Sequence, residues 1–217
     1  MESALSDGAD QLGLRLREGA LEPGLQLIET LLWDGECFPR LALHEARLRR
    51  SAAALGWPAP DGMAKALAGV PDQPHRVRLT MDAAGMFEVG RLALPQAKAE
   101  WIVGLAKRRL NSADPWLRVK TTRRALYDAA RAALARGIDE VVFLNERGEV
   151  CEGTITTLFF DRGRGLRTPP LASGLLPGVL RAELSPPEEV LLVQDLPKVR
   201  LWLGNALRGL IPARLVL

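Results

Sequence analysis

The chain has 217 residues, 47% of them apolar and 25% charged, with a net charge of +3; this composition is ordinary for a globular protein with one large core or two smaller ones. Its basic residues are spread along the chain without a stripe and aromatics are scarce, which argues against a nucleic-acid binder. No run of eighteen apolar residues is present, and Met1 to Asp10 carry acids but no basic cluster, so neither a membrane span nor a secretory signal is expected.

In chain order, residues 1–20 are polar and small and read as loop-rich. Leu25 to Leu32 form an apolar run between Pro23-Gly24 and Asp34-Gly35, a strand ending in a turn. Leu41 to Leu55 repeat apolar residues at helical spacing and stop at Gly56-Trp57-Pro58; Ala64 to Ala68 read as a short second helix. Val77 to Thr80 and Met86 to Val89 read as strands joined by a turn at Asp82 to Gly85, and Ala99 to Leu105 as another. Trp116 to Val119 read as strand-like, followed by a helix over Arg123 to Arg136 that closes at Gly137. Val141 to Leu144, the turn Asn145 to Gly148, and Glu149 to Phe160 give a hairpin signal. Short strands are expected at Leu166 to Thr168, Val190 to Val193 and Arg200 to Leu203, and a helix over Gly178 to Leu184. The expected class is α+β: a small α/β domain over residues 1–85 and a larger strand-rich domain over 86–217.

Only five of the 29 basic residues are lysines: Lys65, Lys98, Lys107, Lys120 and Lys198. Arginine keeps its proton and clamps carboxylates and phosphates, so covalent amine chemistry has few candidates here. Lys120 lies between Val119 and Thr121 at the start of a helix, where partial burial would make its amine a better nucleophile. Read alone, it is also compatible with a surface lysine at a strand end. Tyr127, the only tyrosine, follows on that helix. Glu152 sits in a strand-like apolar stretch, where an acid is costly unless it meets a cation; an edge position facing solvent is the alternative. Pro177-Gly178 leaves the N–H groups of Val179 and Leu180 at a helix start, a site suited to an anion. Arg47 stands on the first helix one turn after His44. Gly204 and Gly209 permit a tight turn that brings backbone N–H groups and Arg208 together. Cys37 and Cys151 read as reduced packing residues, and the two histidines are too few for a histidine-rich metal site.

In this order the segments LIETLLWDG, HEARLRRSA, KTTRRALYD, ERGEVCEGTITTLFF, LLPGVLR and GNALRG resemble the class IV aminotransferases, the fold type IV pyridoxal-phosphate enzymes. The resemblance implies a small N-terminal α/β domain and a larger pseudo-barrel domain. It implies Lys120 as the residue that holds pyridoxal 5'-phosphate as a Schiff base, Tyr127 near the cofactor hydroxyl and Glu152 facing the ring nitrogen. Arg47 and the N–H groups of Val179 and Leu180 are implied as phosphate ligands, with Asn205 and Ala206 in the late phosphate and substrate loop. The KTTRRALYD form is closest to the aminodeoxychorismate lyase subgroup. The first strand and its turn are absent or degenerate in residues 1–24, Thr157 stands where the family commonly has Asn, and Val119 replaces a His often seen before the lysine.

The expected function is 4-amino-4-deoxychorismate lyase, giving 4-aminobenzoate and pyruvate for folate synthesis. A branched-chain or D-amino-acid aminotransferase is the alternative, and a non-catalytic cofactor carrier a lesser one. Arg118, Arg123, Arg124 and Arg208 are candidate clamps for the carboxylates of a small-molecule amino substrate. The resemblance also implies a homodimer; cysteine usage, charge pattern and hydropathy lead to the expectation of a cytoplasmic protein with no metal, nucleic-acid or membrane partner.

Overall fold

A computed structural model describes residues 13–69 and 72–216. The chain divides into two compact units, Met1–Pro95 with Val119–Arg123, and Gln96–Arg118 with Arg124–Leu217.

In the first unit, strands β1 (Leu27–Trp33), β2 (His75–Met81) and β3 (Phe87–Leu92) form an antiparallel sheet in that order. The register pairs Leu27 with Met81, Glu29 with Leu79 and Leu31 with Val77, which stacks these side chains on one face. Helix α1 (Leu41–Leu55) packs on β1 and buries His44, Arg47, Leu48, Ser51, Ala52 and Leu55, the three-and-four spacing of one helical face. It ends where Gly56 adopts a left-handed φ of 72°. A short α2 (Met63–Ala66) follows. Asp82 shapes the β2–β3 turn by accepting from the N–H groups of Ala84 and Met86. The other edge of β1 is taken by residues 119–123. The Ile28 N–H donates to the Lys120 carbonyl at 2.8 Å, the Thr122 N–H donates to the Gln26 carbonyl at 2.9 Å, and Leu27 bridges Thr121.

The second unit is a closed barrel of β4 (Trp101–Leu105), β5 (Glu140–Leu144), β6 (Val150–Gly153), β7 (Thr157–Asp161), β8 (Arg200–Asn205) and β9 (Gly209–Leu215). β4 pairs parallel with both β5 and β9, and the remaining pairs are antiparallel. One core cluster gathers Val142, Leu144, Val150, Leu158, Phe160 and Leu203. A second cluster holds Phe143, Cys151, Leu110, Leu117 and Leu175, with Leu126 and Tyr127 of helix α3 (Ala125–Ala132) packed against it. Helix α4 (Val179–Leu184) starts after Gly178.

Several local expectations are corrected. Residues 13–19 are helical, while the first twelve residues of the expected loop-rich segment lie outside the described ones. Pro115–Arg118 is a 3-10 turn rather than a strand, because Asp114 accepts from the Trp116 N–H and Pro115 fits a first helical position. Helix α3 stops at Ala132, short of Arg136 and Gly137, so that Asp139 can give its N–H to the Ile102 carbonyl and accept the Ile102 N–H on its side chain. The expected long strand Glu149 to Phe160 is two strands, β6 and β7, broken at residues 154–156. Val193–Lys198 is a 3-10 turn, and the strand expected at Val190 to Val193 is reduced to a bridge between Leu192 and Glu149. Leu166 to Thr168 likewise contributes bridges, Arg167 to Phe160 and Thr168 to Glu188.

Candidate active site

In the first unit Lys120 is half-buried, between Val119 and Thr121, which are both buried. Its backbone is fixed by the β1 edge, which holds the lysine in place whatever its side chain does. On the other side of β1's chemistry, Glu29 is almost fully buried under α1. Arg47 donates to it from Nε at 2.9 Å and from Nη2 at 2.5 Å, and His44 donates from Nδ1 at 2.6 Å. Burial works to raise the Glu29 carboxyl, but the Arg47 charge and the hydrogen bonds from His44 and Arg47 outweigh it and hold the group at about 2. Arg47 therefore reaches inward, as its place on the helix predicts. Two of its arms belong to Glu29.

In the second unit Glu152 lies in a fully buried strand, 6% exposed. Its Oε1 accepts the Tyr127 O–H at 2.6 Å, and its Oε2 accepts the Leu176 N–H at 3.1 Å. Burial first, and then the adjacent Glu152 charge and this bond, push the Tyr127 ionisation well above the usual phenol value. Beyond Glu152 the chain must turn sharply. Buried Glu140 holds that turn, accepting the Thr154 hydroxyl at 2.6 Å, the Ile155 N–H at 3.2 Å and the Thr156 hydroxyl at 3.2 Å. Sequence reading gave Glu140 no role, since an acid at the head of VVFL looks like an ordinary strand start.

Three motif segments meet at Thr157. It pairs with Glu152 across β6–β7 and with Gly204 across β7–β8. Gly178 approaches so closely that a Cβ there would fall 2.5 Å from Thr157 Oγ1. A Cβ on Gly204 would fall 2.6 Å from Leu180 Cδ2 and 2.7 Å from the Gly209 carbonyl oxygen. The glycines of the Pro-Gly and Gly-Asn motifs are thus required by contact, and Thr157, noted from sequence only as a departure, is the residue they share.

The first-turn N–H groups of Val179 and Leu180 have no partner within α4, and Gly178 offers no capping side chain. Asn205 Oδ1 accepts the N–H groups of Leu207 and Arg208, shaping the turn in which Ala206 lies buried, while Asn205 Nδ2 donates to the Ile155 carbonyl. Arg208 stacks 5.4 Å from the Trp101 ring centroid. Arg124 donates to the Thr154 carbonyl at 2.7 Å and lies 5.3 Å from the Tyr127 ring centroid. Arg123 pairs with Glu22 on the surface, and Arg118 ends the 3-10 turn. Cys37 is exposed rather than a packing residue; Cys151 is buried, and burial with the Glu152 and Glu149 charges pushes its thiol up to about 12. No group of metal-ligating side chains occurs among the described residues, and none of their helices is long and apolar enough to cross a membrane.

Residues 26–216 match the amino-transferase class IV family model. The chain belongs to that family. A protein of Schizosaccharomyces pombe provisionally named aminodeoxychorismate lyase is 34% identical over 167 residues, 73% of this chain and 72% of its own. A crystal structure from Mesorhizobium loti, provisionally named an amino-acid aminotransferase, is 44% identical with a TM-score of 0.82, covering 88% of this chain and all of the other. A hypothetical aminotransferase from Mycobacterium tuberculosis in a PLP-bound form is 25% identical with a TM-score of 0.74, covering 91% and 83%. The fold is therefore that of the fold type IV enzymes, and the protein is a pyridoxal-phosphate-dependent enzyme of lyase or aminotransferase type. The residues suit that cofactor: a half-buried primary amine at Lys120, a buried carboxylate at Glu152 aimed by two donors, and helix-start N–H groups at Val179 and Leu180 for an anion.

Proposed function

We propose that the protein is a 4-amino-4-deoxychorismate lyase that releases 4-aminobenzoate and pyruvate. The observation that carries the site is the meeting of Glu152, the Gly178 helix start and the Gly204 turn at Thr157. The lyase branch is supported by the KTTRRALYD segment and by the name of the fission-yeast relative. When bound, pyridoxal phosphate supplies an electron sink for charge released at the substrate carbon beside the amine. Lys120 would hold the cofactor covalently, and its amine would take the proton from that carbon. Glu152 keeps the ring nitrogen protonated through its charge. Arg47 and the N–H groups of Val179 and Leu180 bind the phosphate, with Asn205 and Ala206 forming the adjoining turn. Arg208 and Arg124 are assigned to the substrate carboxylates.

Transamination of a small amino acid is the second reading, favoured by the name of the 44% identical relative from Mesorhizobium loti. Purified holoenzyme given synthetic aminodeoxychorismate should produce equal amounts of 4-aminobenzoate and pyruvate. Amine transfer from an amino acid to a 2-oxo acid, with no 4-aminobenzoate formed, overturns the lyase assignment in favour of transamination. Borohydride reduction and peptide mapping should place phosphopyridoxyl on Lys120; an adduct on any of the other four lysines rejects the site. The same reading assigns the enzyme to the cytoplasm, to folate synthesis and to a homodimer of twice the 23.7 kDa chain mass.

A further inference from the structure

Tyr127 is the only tyrosine of the chain, and α3 places it with little freedom. Its ring meets Phe143 edge-on at 5.1 Å and 69°, in the cluster that also contains Cys151. The Arg124 guanidinium lies over the same ring. The phenol oxygen then falls 2.6 Å from Glu152 Oε1, while the Leu176 N–H takes Oε2. The carboxylate is therefore aimed from both of its oxygens.

We propose that Tyr127 is a positioning residue for Glu152, its hydroxyl acting on the carboxylate rather than on the cofactor. A phenol has one proton to donate, and here it goes to a carboxylate at a separation typical of a charge-assisted O–H···O⁻ bond. The same hydroxyl cannot also donate to a cofactor oxygen. Burial and the neighbouring charge raise the Tyr127 ionisation, so it remains a donor across the working pH range. The bond helps to fix one carboxylate rotamer, as outer hydrogen bonds orient the ligands of a metal. The inference rests on the assignment of Glu152 as partner of the cofactor ring nitrogen.

A single tyrosine gives a direct test. Protein carrying tyrosine labelled with carbon-13 at the phenol carbon should show one resonance. In the wild type that resonance should titrate above the range of a free phenol, and in Glu152→Gln its midpoint should fall towards that range. Cofactor affinity of the apoprotein provides the second readout. Tyr127→Phe keeps the ring packing and should weaken pyridoxal phosphate binding about ten-fold, the scale of outer-shell losses. In a Glu152→Gln background it should cost nothing further, because the charged carboxylate through which the phenol acts is already gone. A full additional loss in that background would show the phenol acting on the cofactor itself and overturn the proposal. Unchanged phenol titration in Glu152→Gln would also overturn it, by removing the contact. If instead Glu152→Gln binds cofactor like the wild type while the resonance still responds, the contact stands and the assignment of Glu152 to the ring nitrogen is what fails.

Discussion

Arg47 and Glu29 form a two-armed pair beneath α1, 6% and 1% exposed, with His44 on the same carboxylate. Removing one partner of such a pair leaves a buried charge uncompensated, at a cost of roughly 3–5 kcal/mol. Arg47→Ala is therefore expected to destabilise the apoprotein by that amount before any effect on cofactor is read. The double variant Glu29→Gln, Arg47→Met removes both charges together and should recover much of the loss. Urea unfolding of the cofactor-free proteins measures both values; an Arg47→Ala apoprotein as stable as the wild type would mean that the pair does not hold the fold. Cofactor retention is then better compared in Arg47→Lys, which keeps the charge but loses the planar fork. Arg47 was legible from helical spacing and resemblance. Glu29 was not, because its only signal is its even spacing with Leu27 and Leu31, and an acid at that spacing does not announce a partner fifteen or more residues away.

Among the elements, α1 was readable to its last residue because an apolar period and a left-handed glycine stop agree there. The errors arose where tertiary contacts override local preference. The run AARAALARG is made of good helix formers, yet the helix ends at Ala132 to let Asp139 join the β4 edge. The strand expected through Glu149 to Phe160 breaks because Glu140 gathers the 154–156 turn. Asp114-Pro115 did carry a helix-start signal that the apolar Trp-Leu-Val pattern masked. At the site, the glycines were legible as turns but not as contacts. Gly204 makes the distinction measurable, since its φ is not in the left-handed region and only space excludes a side chain. Gly204→Ala must displace both Leu180 and the Gly209 backbone, an overpacking that costs about 1–3 kcal/mol. Thermal unfolding should show that loss. An alanine variant of wild-type stability would mean that β8 and α4 are further apart than the geometry here.

At the scale of the whole chain, α+β class and a strand-rich second half follow from the order of periodic segments, but barrel closure does not. It depends on β4 pairing in parallel with β5 and with β9, and neither pairing leaves a local sequence signal. Nor does any local signal reveal that residues 119–123, with Lys120 among them, cluster with the first unit while their flanks cluster with the second. One global property can nevertheless be derived from named groups, the response to acid. Several carboxyls lie below their usual range, including Glu146, which is exposed, and Glu149, which is half-buried against the exposed Arg147, where solvent screening leaves such pairs little weight. Glu29 is the buried case: about 2 in the folded protein against 4.5 for the ordinary group. A carboxyl depressed on folding contributes its full stability above pH 4.5, and loses it as pH falls through that value towards 2. The difference amounts to about 3 kcal/mol. Glu29→Gln carries no titrating group there, so it should be less stable than the wild type at pH 6 but should lose about 3 kcal/mol less on acidification to pH 2. Urea unfolding at pH 6, 4 and 2 measures the two slopes. Parallel acid curves for the two proteins would show that Glu29 titrates alike folded and unfolded, and that acid unfolding is driven from the surface carboxyls instead.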